Sequence, residues 1–243
     1  MEIIETIVLF TALTCLIVGS FSAAASLASY QAVTSEAVYA GNTMAQFAYG
    51  IQRIAEGQEA STAIQFSYRF GVFTYTNGTP LTIVLIDQQN STMSAYSNDH
   101  FARFEYASPY MMYGSTSVSD KGTRSVAAYA STLDDAVIAY HFSANGTTHA
   151  VVETQPVVTS HVNADGTVDV QILIVELVRA DPLLTRQGYF VLTYTTTSFT
   201  QYSYSNGPIK VGVTYEGTTK LLTVGTPGKA INVFEKIIQV NSS

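Results

Sequence analysis

Charge is what this sequence lacks most. Only 12% of its 243 residues are Asp, Glu, Lys or Arg, about half the share of an average globular chain. The 11 basic residues are outnumbered by 18 acidic ones, for a formal net charge of −7, so no broad cationic field exists to draw in phosphate backbones or anionic lipid heads. Nucleic acid is therefore not an expected partner. Cysteine is almost missing: with Cys15 alone, an intrachain disulfide and a cysteine-based metal site are both excluded. Proline is absent before Pro80, which removes the residue that most often breaks a helix. Phosphate-binding glycine loops, a nucleophile elbow, HExxH and paired CxxC are absent as well. Nothing in this inventory marks an enzyme or calls for a cofactor.

What is there begins with MEIIETIVLFTALTCLIVGSFSAAASLASY. Thirty residues without a formal charge separate Glu5 from Glu36, and about 20 apolar residues suffice to cross a bilayer. A secretory signal peptide would start with a basic segment and carry a core of only ~7–15 apolar residues. This stretch starts acidic and runs longer. From Ile3 to about Glu56 the pattern predicts one continuous helix, roughly 80 Å long at 1.5 Å per residue. Its second half narrows to Val33, Ala37, Ala40, Met44, Phe47, Ile51 and Ile54, a 4-3-4-3-4-3 spacing that puts them on one face. Gly19, Ala23, Ala24, Ala25 and their Ser neighbours let helices approach closely in apolar surroundings. The expectation is a helix surrounded by other helices, ended by Gly57, with Arg53 and Glu56 paired on its outer face.

After about Ala63 the chain changes to short runs of Val, Ile, Thr, Tyr and Phe punctuated by turn residues. Asn77-Gly78 and Asn145-Gly146 predict tight hairpins, as does Asn163-Ala164-Asp165-Gly166. Strands are expected at SVAAYA, AVIAYHF, HAVVET, YFVLTYTT, IKVGVTY, KLLTV and AINVFEKIIQV. Ten or so strands and no further helix predict an α+β chain: a helical segment, residues 1–58, followed by an all-β antiparallel sandwich of immunoglobulin-like type, residues 59–243.

Chemically suggestive groups are few. His141 and His149 flank the Asn145-Gly146 turn and form a conceivable metal pair, while His100 and His161 stand apart; polar sheet residues are the stronger reading, because two His make a poor site. Residues 163–169 resemble the start of a calcium loop but lack its later Glu. Asp134-Asp135 would point to opposite faces of a strand, which spoils them as an acid and base pair. Sequons at Asn77, Asn90, Asn145 and Asn241 offer candidate N-glycosylation positions and point to an extracellular surface. The sixteen tyrosines are explained by strand preference, with a stacking platform for sugars as the other reading.

A long unbroken N-terminal helix, apolar in its first half and joined to a β-rich domain without disulfides, resembles an archaeal type IV pilin and, less closely, an archaellin. The resemblance covers the architecture of the whole chain, and individual residues only at the N-terminus. It implies a leader removed by a dedicated peptidase so that Met1 is the mature first residue, with Glu5 at the position where pilins often carry a glutamate. It further implies insertion in the cytoplasmic membrane before assembly, handling by pilus machinery, and a homopolymeric extracellular filament serving surface adhesion. The residues expected at the assembly surface are Met1, Glu5, Ile7, Phe10, Leu13, Leu16, Phe21, Val33, Ala37, Met44, Phe47 and Ile51. A carboxylate at the front of an apolar helix is costly in lipid and is stabilised by the helix N-terminus and by a neighbour's α-amino group. The chain departs from the bacterial pattern in having Met1 for Phe, Ser22 for a kinking Pro, and no C-terminal disulfide loop. A motility filament and a single-span anchored surface receptor are the alternatives, the latter leaving the stripe from Val33 to Ile54 without a partner.

Overall fold

The computed structural model of the chain describes residues 2–77, 81–86, 92–98, 102–109, 118–122, 128–129, 136–162, 164, 168–179, 187–203, 209–215, 218–224 and 227–242. A single unbroken helix, α1, runs from Glu2 to Ala55. It stops where the sequence provides a left-handed residue: Gly57 has φ 78°, its N–H donates to Ile54 O at 3.0 Å, and Gln58 N–H donates to Arg53 O at 2.9 Å. Together these close a Schellman cap. Arg53 pairs with Glu59 at 3.2 Å rather than with Glu56, because the chain reverses at the cap and brings Glu59 back to it. Glu56 accepts instead from Gln52 and Gln58.

Fifteen strands follow among the described residues. They are β1 (Ser61–Ser67), β2 (Val72–Asn77), β3 (Leu81–Ile86), β4 (Thr92–Asn98), β5 (Ala102–Ser108), β6 (Val118–Lys121), β7 (Ala128–Tyr129) and β8 (Val137–Ala144). Then come β9 (Thr147–Thr154), β10 (Val157–Val162), β11 (Val168–Arg179), β12 (Gln187–Ser203), β13 (Ile209–Tyr215), β14 (Thr218–Val224) and β15 (Pro227–Ser242). They form a six-stranded sheet of order β1-β12-β15-β11-β10-β7, a four-stranded sheet β14-β13-β3-β4 and a five-stranded sheet β2-β5-β9-β8-β6. The expected α+β class holds. The strands differ from a simple antiparallel two-sheet sandwich: among the described residues they make three sheets, and β11 runs parallel to β15, as β7 does to β10. A parallel pair cannot be closed by a hairpin, so β11 and β15 meet only after β12, β13 and β14 intervene.

Two of the three expected hairpins form. Asn145 (φ 52°) and Gly146 (φ 80°) both lie in the left-handed region, the requirement of a type I′ turn between β8 and β9, and β10 pairs with β11 across residues 163–167. Asn77-Gly78 is not a hairpin. β2 pairs with β5 while β3 pairs with β4 and β13, so the chain passes there from one sheet to another. An Asn-Gly dipeptide specifies a local reversal, not the partner of the strand that follows. Strands β4, β5 and β6 are not expected from the sequence, being less apolar, although β5 sits inside its sheet and contributes the fully buried Phe104 and Tyr106.

The core explains the helix's second half. Met44, Phe47, Ile51 and Ile54 lie in one cluster with Ile64 and Phe66 of β1, Phe104 of β5, Val152 of β9, Val175 of β11, Phe190 of β12 and Val240 of β15. Phe47 stands 5.1 Å from the ring of Phe104 and 5.5 Å from that of Phe190. The helix thus fills the space that facing sheets would otherwise close, and Gly50 lets it approach: a Cβ there would lie 2.9 Å from Thr62 Cγ2.

Candidate functional site

Within α1 the burial changes abruptly. Val33, Ala37, Met44, Phe47 and Ile51 are at most 3% exposed, covered by this chain's own sheets. Of the residues expected at the assembly surface, these five are therefore core and have no surface left for another copy. The reason is the stripe itself: a one-sided apolar face is satisfied equally by a sheet or by a second helix, and the sheets are covalently at hand. Ile7, Phe10, Leu13, Leu16 and Phe21, by contrast, are 55–77% exposed. Glu5 is exposed too, and Met1 lies outside the described residues.

The exposed half carries twelve large apolar side chains between Ile3 and Leu27. At ~1.5–3 kcal/mol for each one fully buried, covering them releases roughly 20–35 kcal/mol. No isolated chain leaves such a rod in water. Among the described residues, this helix alone is long and apolar enough to cross a membrane. Three of its hydroxyls are satisfied within the helix: Thr11 donates to Ile7 O at 2.8 Å, Thr14 to Phe10 O at 2.8 Å and Ser26 to Ser22 O at 2.9 Å. That back-bonding is what an apolar environment demands of polar side chains.

Glu36 stands at the boundary, three residues past the first buried position. Three consecutive backbone N–H groups in the turn between β1 and β2 converge on its carboxylate: Arg69 at 2.6 Å, Phe70 at 2.9 Å and Gly71 at 2.9 Å. Successive amides of this kind make an anion-binding concavity. A fourth donor, the Tyr106 hydroxyl of β5, lies 2.6 Å from the same carboxylate. Burial pushes the Glu36 carboxyl up, but the hydrogen bonds from Tyr106 and the three amides outweigh it and hold the group below the ordinary carboxylate range. Tyr106 is pushed well above the ordinary phenol range by burial and by the carboxylate it serves. Gly71 is required: a Cβ there would fall 2.2 Å from the Tyr106 ring. The arrangement fixes the exposed rod to the domain at its exit point. In the sequence Glu36 only closes the uncharged run, and a lone carboxylate after thirty uncharged residues is the signal that marks it.

The remaining candidates scatter. His141 and His149 lie on neighbouring registers of the β8–β9 pair, opposite Ala150 and Phe142 respectively, so they point to opposite faces. Each meets a carboxylate instead of the other: His141 Nδ1 is 2.9 Å from Asp120, and His149 Nδ1 is 2.5 Å from Glu105. Among the described residues no three His, Cys, Asp or Glu side chains cluster as a metal site would. His161 is in β10 opposite Asp169, while His100, Asp134, Asp135 and most of the calcium-like loop lie outside the described residues. Of the sequons, Asn145 is exposed at its turn, Asn77 ends β2 opposite Ala102, Asn241 is half-buried in β15 opposite Val191, and Asn90 is not among the described residues. No family model, curated protein or solved structure matches this chain.

Proposed function

We propose that the chain is a structural, non-enzymatic subunit of an extracellular filament of the archaeal type IV pilus kind, with residues 3–30 packed against the same segment of other copies and the β-rich domain outside. The observation that carries this reading is the division of α1: a half-helix apolar on every side and fully exposed, continuing without a break into the core of its own domain. Inserted in a membrane, the exposed half is solvated by lipid. Withdrawn, it needs another apolar surround, and identical helices around a common axis supply one through a heterologous contact repeated with an open rotation. Adhesion is the proposed service of the outer domain, and Asn145 its best-presented glycan position. A motility filament would use the same plan.

A single-span anchored surface protein is the second reading, and one observation favours it. The stripe from Val33 to Ile54 is accounted for inside the chain, so it no longer calls for a second copy. The two readings separate by electron microscopy of material sheared from the native cell surface, with mass spectrometry of the chain. Thin filaments made of this chain support the first reading; retention of the whole population in the membrane pellet supports the second.

A further inference from the structure

The last two turns of α1 and the edge strand β6 flank an open groove of about 490 Å3 whose lining mixes polar and apolar surface, within the ~300–1,000 Å3 of small-molecule sites. Tyr49, Gln52 and Arg53 come from the helix, Glu56 from the turn that ends it, and Asp120 and Lys121 from β6. Its charged groups already have partners: Arg53 pairs with Glu59 at 3.2 Å, Asp120 takes a hydrogen bond from His141 at 2.9 Å, and Glu56 takes one from Gln52 at 2.7 Å. Lys121 is only 7% exposed, its ammonium donating to Val137 O at 3.1 Å and lying 5.4 Å from the Tyr49 ring centroid. A strongly charged ligand would find as much repulsion as attraction here. A purely apolar one would strand several polar groups. The wall instead offers oriented donors and acceptors beside one aromatic ring that is 53% exposed, which matches the hydroxyls and the flat C–H face of a pyranose.

Backbone geometry points to the same place. The pairing of β6 with β8 slips between Ser119 and Lys121, leaving Asp120 as the extra residue of a β-bulge. Bulges occur preferentially at sheet edges and beside functional sites, where they re-aim side chains. Gly122 follows in the left-handed region at φ 68°, its carbonyl accepting from the Ser119 hydroxyl.

We infer that this groove binds a neutral saccharide, with Tyr49 as the stacking surface and Asp120, Arg53 and Gln52 as hydrogen-bonding groups. The inference goes beyond the filament reading and does not depend on it. The test uses the full chain, in its native assembly or in detergent, against an array of neutral, sialylated and sulfated oligosaccharides, followed by titration calorimetry with the best neutral ligand. Saturable binding to a neutral oligosaccharide is expected, weakened at least tenfold in Tyr49→Ala and Asp120→Asn and changed less than threefold in Tyr49→Phe. Melting temperatures near wild type show that the exposed Tyr49 position tolerates the change. Absence of saturable binding to any neutral glycan overturns the inference, as does preference for charged glycans or binding indifferent to Tyr49→Ala. Filaments that form but bind no sugar would refute this groove and leave the filament reading standing; a dispersed chain that binds sugar would do the reverse.

Discussion

Residues 3–30 and residues 33–55 are halves of one helix, both rich in apolar side chains, and they meet opposite fates. The first half is apolar on all sides and remains exposed along its whole length. The second gathers Met44, Phe47, Ile51 and Ile54 on one face that the chain's own sheets cover, and leaves only Val38, Tyr39 and Tyr49 exposed among its large apolar groups. Apolar content alone therefore does not say where a helix goes; the width of the apolar surface does. A stripe can be satisfied from one side by a sheet, whereas a rod needs an apolar medium all around it. Glu36 marks the join and ties it to the domain.

The largest contrast is expected from truncation. A fragment of residues 31–243 keeps the buried half and should be a folded, soluble monomer by size exclusion and circular dichroism. One of residues 59–243 loses Met44, Phe47, Ile51 and Ile54 from the core and should fail to fold. A cooperative melt from the shorter fragment would mean that the sheets close without the helix and that the two halves are not different after all. Next in size is a matched pair of substitutions in the 31–243 fragment and the full chain. Phe47→Ala should cost about 3–5 kcal/mol of domain stability in denaturant titration. Phe10→Ala, measured on the full chain in detergent, should change it by less than about 0.5 kcal/mol while weakening assembly.

The join can be probed more finely. Gly71→Ala pushes into the Tyr106 ring and should cost about 1–3 kcal/mol, as overpacking does. At the join the smaller loss is expected from Glu36→Gln, at about 1–2 kcal/mol near neutral pH, because the site is partly open to solvent. Its pH dependence is more telling than its size. The folded-state carboxyl titrates below its ordinary value of 4.5, so the ionised group adds stability at pH above 4.5 and that contribution is lost as the pH falls through the lower folded value. Wild type should lose more stability than Glu36→Gln on acidification from 4.5 downward. Parallel pH profiles would show that Glu36 is not the anchor.

Much of this was legible beforehand, and the gaps have physical causes. The helix and its Gly57 stop follow from local signals, as do the β8–β9 and β10–β11 hairpins, whose turn residues fix strand pairing within a few positions. The partner of the Val33–Ile54 stripe was not legible, because a 3.6-residue period reports a face and not what covers it. Nor was the β2-to-β3 crossing at Asn77, since pairing with β5 and β13 is decided by contacts far along the chain. Strand β5 escaped notice because ARFEYAS interleaves Arg103 and Glu105, which pair with each other at 2.9 Å, among its buried aromatics. The Glu36 site needed three elements brought together, and only the fold supplies that.

The most direct test of the central claim uses Cys15, the sole thiol, which is exposed in the apolar half of the isolated chain. In the membrane-free material sheared from cells, maleimide labelling of Cys15 should be blocked while the assembly is intact and become rapid once it is dissociated and unfolded. Rapid labelling of the intact assembly, or absence of the chain from that fraction, would contradict burial of residues 3–30 among other copies.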